Sequence, residues 1–117
     1  MHTTVVDIPA DRIVDWDSFH SVFQERLGFP GFYGRNMNAW IDCLTSADQQ
    51  SHGMMSITVG PGELLTLLIK DAETFQTRCP EQYSALLECA AFVNHRREEV
   101  GEPPVLALLL SGSFQSA

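Results

Sequence analysis

The sequence predicts an α/β domain, a small and mainly parallel sheet with helices packed on it. Three observations predict this. Three short runs rich in β-branched and aliphatic residues, Thr3–Ile8, Leu64–Ile69 and Val105–Leu110, are separated by stretches of helical periodicity. The last two runs are almost continuously apolar, as strands covered on both faces should be. The 117 residues suit one domain, here residues 1–111, followed by a short polar tail at 112–117. Right-handed crossovers are expected between the parallel strands.

Each element has its own local reason. Thr3–Ile8 (TTVVDI) reads as a strand that ends at Pro9. Asp15 can cap a helix starting at Trp16, and Asp17 in the first turn complements the positive helix end. Trp16, Phe19, Phe23 and Leu27 recur at helical spacing, Gly28 supplies the stop and Pro30 lies beyond it. Gly28–Gly34 (GFPGFYG) is a loop that carries Phe32 and Tyr33 between glycines. A second helix begins after Asn36 as its cap. Met37, Trp40, Ile41 and Leu44 form its apolar stripe, and Asn38, Asp42 and Thr45 lie on the opposite face. Trp40 and Leu44 are therefore expected in the core and Asp42 in solvent.

Ser46–Gly53 is polar and loop-like. Met54–Val59 and Glu63–Lys70 read as a hairpin around Gly60-Pro61-Gly62, or as an edge strand leading into a central one. Ala72–Cys79 suits a short helix. Pro80 opens a long helix to about Val100, with Tyr83, Leu86, Leu87, Ala90 and Val93 as core stripe and Gly101 and Pro103-Pro104 as its end. Val105–Leu110 is the last strand.

Composition narrows the function classes. Seven Lys and Arg face fifteen Asp and Glu, a net charge of −8. That field repels nucleic acid, because phosphate binding relies on cationic side chains displacing counterions. It attracts basic partners and speeds their encounter, though acidity also serves solubility alone. Cys43, Cys79 and Cys89 are odd in number and lack a C-x-x-C spacing, so reduced thiols in the cytoplasm are expected rather than disulfides or a zinc site. The start of the chain lacks a signal-peptide pattern, and no apolar run reaches the roughly 18 residues of a membrane span. No internal repeat is present. No membrane, metal or cofactor is expected.

No catalytic signature is evident: there is no G-x-S-x-G, H-E-x-x-H or Walker-type loop. His2, His20, His52 and His95 are scattered, and none is expected to pair with a carboxylate or histidine at i+4. Cys43 and Cys89 are expected to be buried and inert, since a reactive thiol needs an exposed, electropositive setting. Two polar surfaces remain. Asn38, Asp42 and Thr45 project together beside Phe32-Tyr33, an aromatic-plus-charge pattern suited to a binding hot spot, although periodicity alone describes an ordinary solvated face. Glu81, Glu88 and Glu99, with His95 among them, form a second acidic row that needs no role beyond solvation.

Phe32–Thr45, FYGRNMNAWIDCLT, closely resembles the central motif of the barstar family: two aromatics and Gly, then Asn, then a helix ending in Asp-Cys-Leu-Thr. The resemblance extends in order over nearly the whole chain, except for the arm around 46–62. It implies a three-layer fold with a parallel three-stranded sheet covered by helices, the extra hairpin strand being this chain's own. It also implies an acidic binder that inserts a loop and its second helix into a ribonuclease cleft, where carboxylates stand in for RNA phosphates. By that resemblance the partner-binding residues are Phe32, Tyr33, Asn36, Asn38, Asp42 and Thr45, with Asp42 at the family's dominant acidic position. Asn38 and Arg35 replace two further acids, and Ala47 stands where a contacting tryptophan is expected. Asn94 and His95 lie nearest to a late acidic contact.

The function expected is therefore an inhibitor or immunity protein, as in a toxin–antitoxin pair. It would be a monomer when free and would block the active site of a basic ribonuclease or nuclease-type toxin other than barnase. The alternative is a barstar-fold interaction module whose partner is not a nuclease, motivated by the lost acids at Arg35 and Asn38. An enzyme using Asp42 or His95 is the least favoured reading.

Overall fold

The computed structural model describes residues 3–113; the readings of His2 and of the tail from Phe114 to Ala117 lie outside them. The chain runs β1 (Thr3–Asp7), α1 (Trp16–Leu27), α2 (Met37–Thr45), β2 (Leu64–Ile69), α3 (Ala72–Arg78), α4 (Pro80–Glu99) and β3 (Leu106–Leu110), with short 3-10 turns at Ala10–Arg12 and Gln50–His52. The strands form one parallel sheet in the order β1-β2-β3, so β2 is central as expected. Val5 is opposite Thr66 and Thr66 opposite Ala107.

Helix boundaries follow the caps. The Asp15 carboxylate accepts from Ser18 N at 2.8 Å, and Ser18 Oγ accepts from Asp15 N at 3.0 Å, closing a capping box at the start of α1. Those bonds to Ser18 also hold the Asp15 carboxyl below its ordinary pKa. Gly28 ends α1 at φ 68°. Only glycine suits this place, because a Cβ there would also collide with Ser56. Pro80 occupies the first turn of α4. Its stripe buries Tyr83, Leu86, Ala90 and Val93 and half-buries Leu87.

Among the described residues the sheet has one covered face. Val6, Leu65, Leu67, Ile69 and Leu106 are buried there, with Leu108 and Leu110 packed against them. On the other face Val5 is 52% and Leu109 51% exposed, while Leu64, Thr66, Leu68 and Ala107 are half-buried. The expected three layers are thus two. Successive crossovers of one hand between strands in the order β1-β2-β3 bring both connections to the same face. The apolar runs of β2 and β3 mislead because the outer face carries aliphatic residues that are only half-buried or exposed.

The extra hairpin strand is also corrected. Met54–Val59 is not a strand. Its backbone donors turn to helix ends: Ser56 N lies 3.0 Å from Gly28 O, Ile57 N 3.3 Å from Leu27 O, and Val59 N 2.9 Å from Ala47 O. Carbonyls left unpaired at the end of α1 and just after α2 supply the acceptors a strand partner would have given. Met55 and Val59 enter the core with Ile57 against it, and this alternation imitates a strand. The Gly60–Glu63 turn is present, with Glu63 N donating to Gly60 O at 3.0 Å, but it leads from this wrap directly into β2.

Candidate functional site

Helix α2 turns one arc inward. Trp40 and Leu44 have no exposed surface, Cys43 and Ile41 are buried, and Trp40 meets Phe23 edge-on with centroids 5.7 Å apart. Asn38 and Asp42 are exposed and Thr45 is half-buried. Asn36 spends its side chain on the helix, accepting from Ala39 N at 2.8 Å. Thr45 Oγ1 donates to Ile41 O at 2.7 Å within its own helix. Asp42 is the single carboxylate of α2, and its Oδ1 accepts from the Arg96 guanidinium of α4 at 2.8 Å, both side chains remaining about half exposed.

The preceding loop divides its two aromatics. Phe32 is 76% exposed. Tyr33 is buried against Phe29, and its hydroxyl is hydrogen-bonded to His20 Nδ1 at 2.6 Å. The expected pair of exposed aromatics is therefore one, with Tyr33 supporting the loop from below. His20 is buried and stacked on Trp16. Burial and then the Arg35 charge push its pKa down, while burial pushes that of Tyr33 up. Arg35, at φ 54°, lays its guanidinium along α1 and donates to Asp17, Ser21 Oγ and Gln24 Oε1. The loop is thereby pinned through Tyr33 and through Arg35. A shallow hollow of about 260 Å³ lies between Trp16, His20, Arg35, Asn36 and Met37.

Other residues singled out in the sequence are placed elsewhere. Ala47 is fully buried and offers no surface. Asn94 holds the start of β3, accepting from Val105 N at 3.0 Å and Leu106 N at 3.1 Å and donating to Leu106 O at 2.8 Å. His95 does pair at i+4, with Glu99 at 3.0 Å, contrary to the expectation of no such pair. The acidic row is no single patch: Glu81 and Glu99 sit about 27 Å apart along α4, and Glu81 accepts from Trp16 Nε1 at 2.8 Å. Cys79 is buried; burial raises the Cys43 thiol to about 11 and also raises that of the half-buried Cys89. These are poor nucleophiles. Among the described residues no three His, Cys, Asp or Glu side chains converge as for a metal, and no helix is long and apolar enough to cross a membrane.

Two arginines were missed. Arg97 is 1% exposed, donates Nη1 and Nη2 to the two Asp48 oxygens at 2.9 and 2.7 Å, and reaches Thr45 O, Pro103 O and Glu102. The signal was available: Arg97 continues the Tyr83–Leu86–Ala90–Val93 stripe at the next i+4 step. Arg96 carried no such signal, because its pairing with Asp42 depends on how α4 crosses α2.

A family model described as Barstar (barnase inhibitor) matches residues 3–108. No curated protein matches the chain.

Proposed function

The chain belongs to the barstar family, a family of inhibitors rather than enzymes, and on that premise we propose that it binds and blocks the active site of a basic, nuclease-type toxin. Phe32 and the exposed side of α2 form the contact surface. Asp42 accepts hydrogen bonds from an arginine or lysine of the partner, while Asn38 and Asn36 make polar contacts at its edge. Thr45 and Tyr33 act by holding α2 and the loop in shape. The observation that carries this reading is the family match over 3–108, with Asp42 of α2 and Phe32 of the preceding loop both exposed. The net charge of −8 draws a cationic nuclease toward the protein. The free protein is a cytoplasmic monomer with reduced thiols in this reading.

Affinity capture from the native cell, followed by nuclease assays on the captured partner, tests the function. Calorimetry with that partner tests the site. Truncating one member of a desolvated charge pair typically costs about 2–5 kcal/mol, because the other charge is left buried and unpaired. Asp42→Ala should weaken binding by that amount and leave folding intact. Equal affinity for Asp42→Ala and the parent would remove this face from consideration. A second reading, a module for a partner that is not a nuclease, is favoured by Asp42 being the one carboxylate of α2, paired to Arg96, with Asn38 and Arg35 where the resemblance expects acids. Captured protein without nuclease activity would favour it.

A further inference from the structure

Helix α4 lays a cation across the acid on which the proposed interface depends. Arg96 Nη1 reaches Asp42 Oδ1 at 2.8 Å, and among the described residues Arg96 has no other hydrogen-bond or ion-pair partner. Its neighbour Arg97 has several, and Arg35 is committed to α1. Arg96 therefore ties α4 to α2 by a single exposed contact, which adds little to the fold. The pair is also exposed, with side-chain exposures of 41% and 57%, so water competes with it and a docking surface can reach it. One turn before Arg96, Phe92 is 47% exposed, so the edge of α4 beside the pair presents an apolar surface as well.

Resting on the proposed interface, we propose that Arg96 is a specificity-determining residue, a tethered guanidinium that occupies Asp42 in the free protein and competes with the partner's cation for it. Only one side of the exchange carries a concentration penalty, because Arg96 is attached to the same molecule and a partner is not. A partner cation approaching Asp42 meets a like charge next to its target. Docking removes the water that screens the two cations, so the repulsion strengthens as the surfaces close. Partners with a single point charge at that place are rejected. Partners with a bidentate arginine fork can use both carboxylate oxygens and displace the one-pronged contact of Arg96. Discrimination thus comes from a repulsive element on α4 as well as from the acid on α2.

Calorimetric titration of the nuclease captured as the partner into the parent protein, Arg96→Gln, Asp42→Ala and the double variant tests this. Arg12→Gln is the control for net charge, since Arg12 pairs with Glu25 on another part of the surface and its loss changes the charge equally. Arg96→Gln is expected to bind about tenfold tighter than the parent, equivalent to about 1.4 kcal/mol. Arg12→Gln should stay within about twofold. The gain should vanish when Asp42 is absent. Arg96→Gln binding no tighter than the parent, an equal gain in Arg12→Gln, or a gain that survives in the double variant would each overturn the proposal. The interface itself fails on a different result: Asp42→Ala binding as tightly as the parent. Weakened Asp42→Ala with unimproved Arg96→Gln sinks only the role of Arg96.

Discussion

Arg96 and Arg97 are consecutive residues of one helix, and each reaches an aspartate on or just beyond α2, yet the two pairs belong to different parts of the molecule's physics. Arg97 and Asp48 have side-chain exposures of 1% and 11%, and the guanidinium also satisfies the carbonyls of Thr45 and Pro103. It knots the ends of α2 and α4 to the chain entering β3. Arg96 and Asp42 sit in water with one hydrogen bond between them. The 100° between successive helical residues is enough to make one arginine part of the core and the other part of the surface. Identical chemistry is structural where water is excluded and exchangeable where it is not.

The largest effect should come from the buried pair. Arg97→Ala leaves Asp48 and two carbonyls without their partner, and breaking a buried pair this way typically costs about 3–5 kcal/mol. Urea denaturation measures it, and a loss below about 1 kcal/mol would dissolve the distinction between the two arginines. Trp40→Ala, which empties the covered side of α2, should cost about 3–5 kcal/mol in the same assay. A much smaller loss would mean that α2 is held by Arg97 and not by its apolar arc.

The support under the loop should respond to pH. Burial keeps the His20 ring neutral in the fold and lowers its pKa from the ordinary 6.5. The unfolded chain therefore takes up the proton first. The stabilisation is complete above pH 6.5 and is lost as pH falls through the lowered value. Denaturation midpoints between pH 7.5 and 5 should fall in the parent and flatten in His20→Gln; parallel profiles would contradict a buried neutral ring. Smaller still, Arg96→Gln should change folding stability by less than about 0.5 kcal/mol, as expected for an exposed pair, whatever it does to binding. Glu99→Ala, which leaves only the exposed His95 alone, should alter neither quantity measurably by melting or titration.

Much of the fold was legible because local chemistry announced it. Asp15, Asn36 and Gly28 fix helix ends through hydrogen bonds within a few residues, and Pro80 through its fixed φ and missing N–H. The stripe through Trp40 and Leu44 needs only the helical period. The errors concern long-range partners. Met54–Val59 alternates like a strand, but its hydrogen bonds go to helix termini far away in sequence. The outer face of β2 carries Leu64 and Leu68 and so reads almost like a covered one, and which side the helices take depends on crossover order. At the site, the exposure of Asp42 followed from its arc, while the burial of Tyr33 depended on finding His20 beneath it. The Asp42–Arg96 contact spans 54 residues of sequence and no period in either helix predicts it.

The parallel order of the sheet has a kinetic consequence. Thr3 at the start of β1 meets Leu64 at the start of β2, 61 residues along the chain. Closing so long a loop costs on the order of 4 kcal/mol of chain entropy before any strand contact offsets it. Helices α1 and α2 lie wholly inside that loop and can form first, each with its own cap. Drawing them together shortens the effective distance between the strands. Such non-local pairing slows folding relative to a helical bundle of equal size. During synthesis β1 emerges long before β2, so its apolar residues stay unpartnered until Leu64–Ile69 has been made.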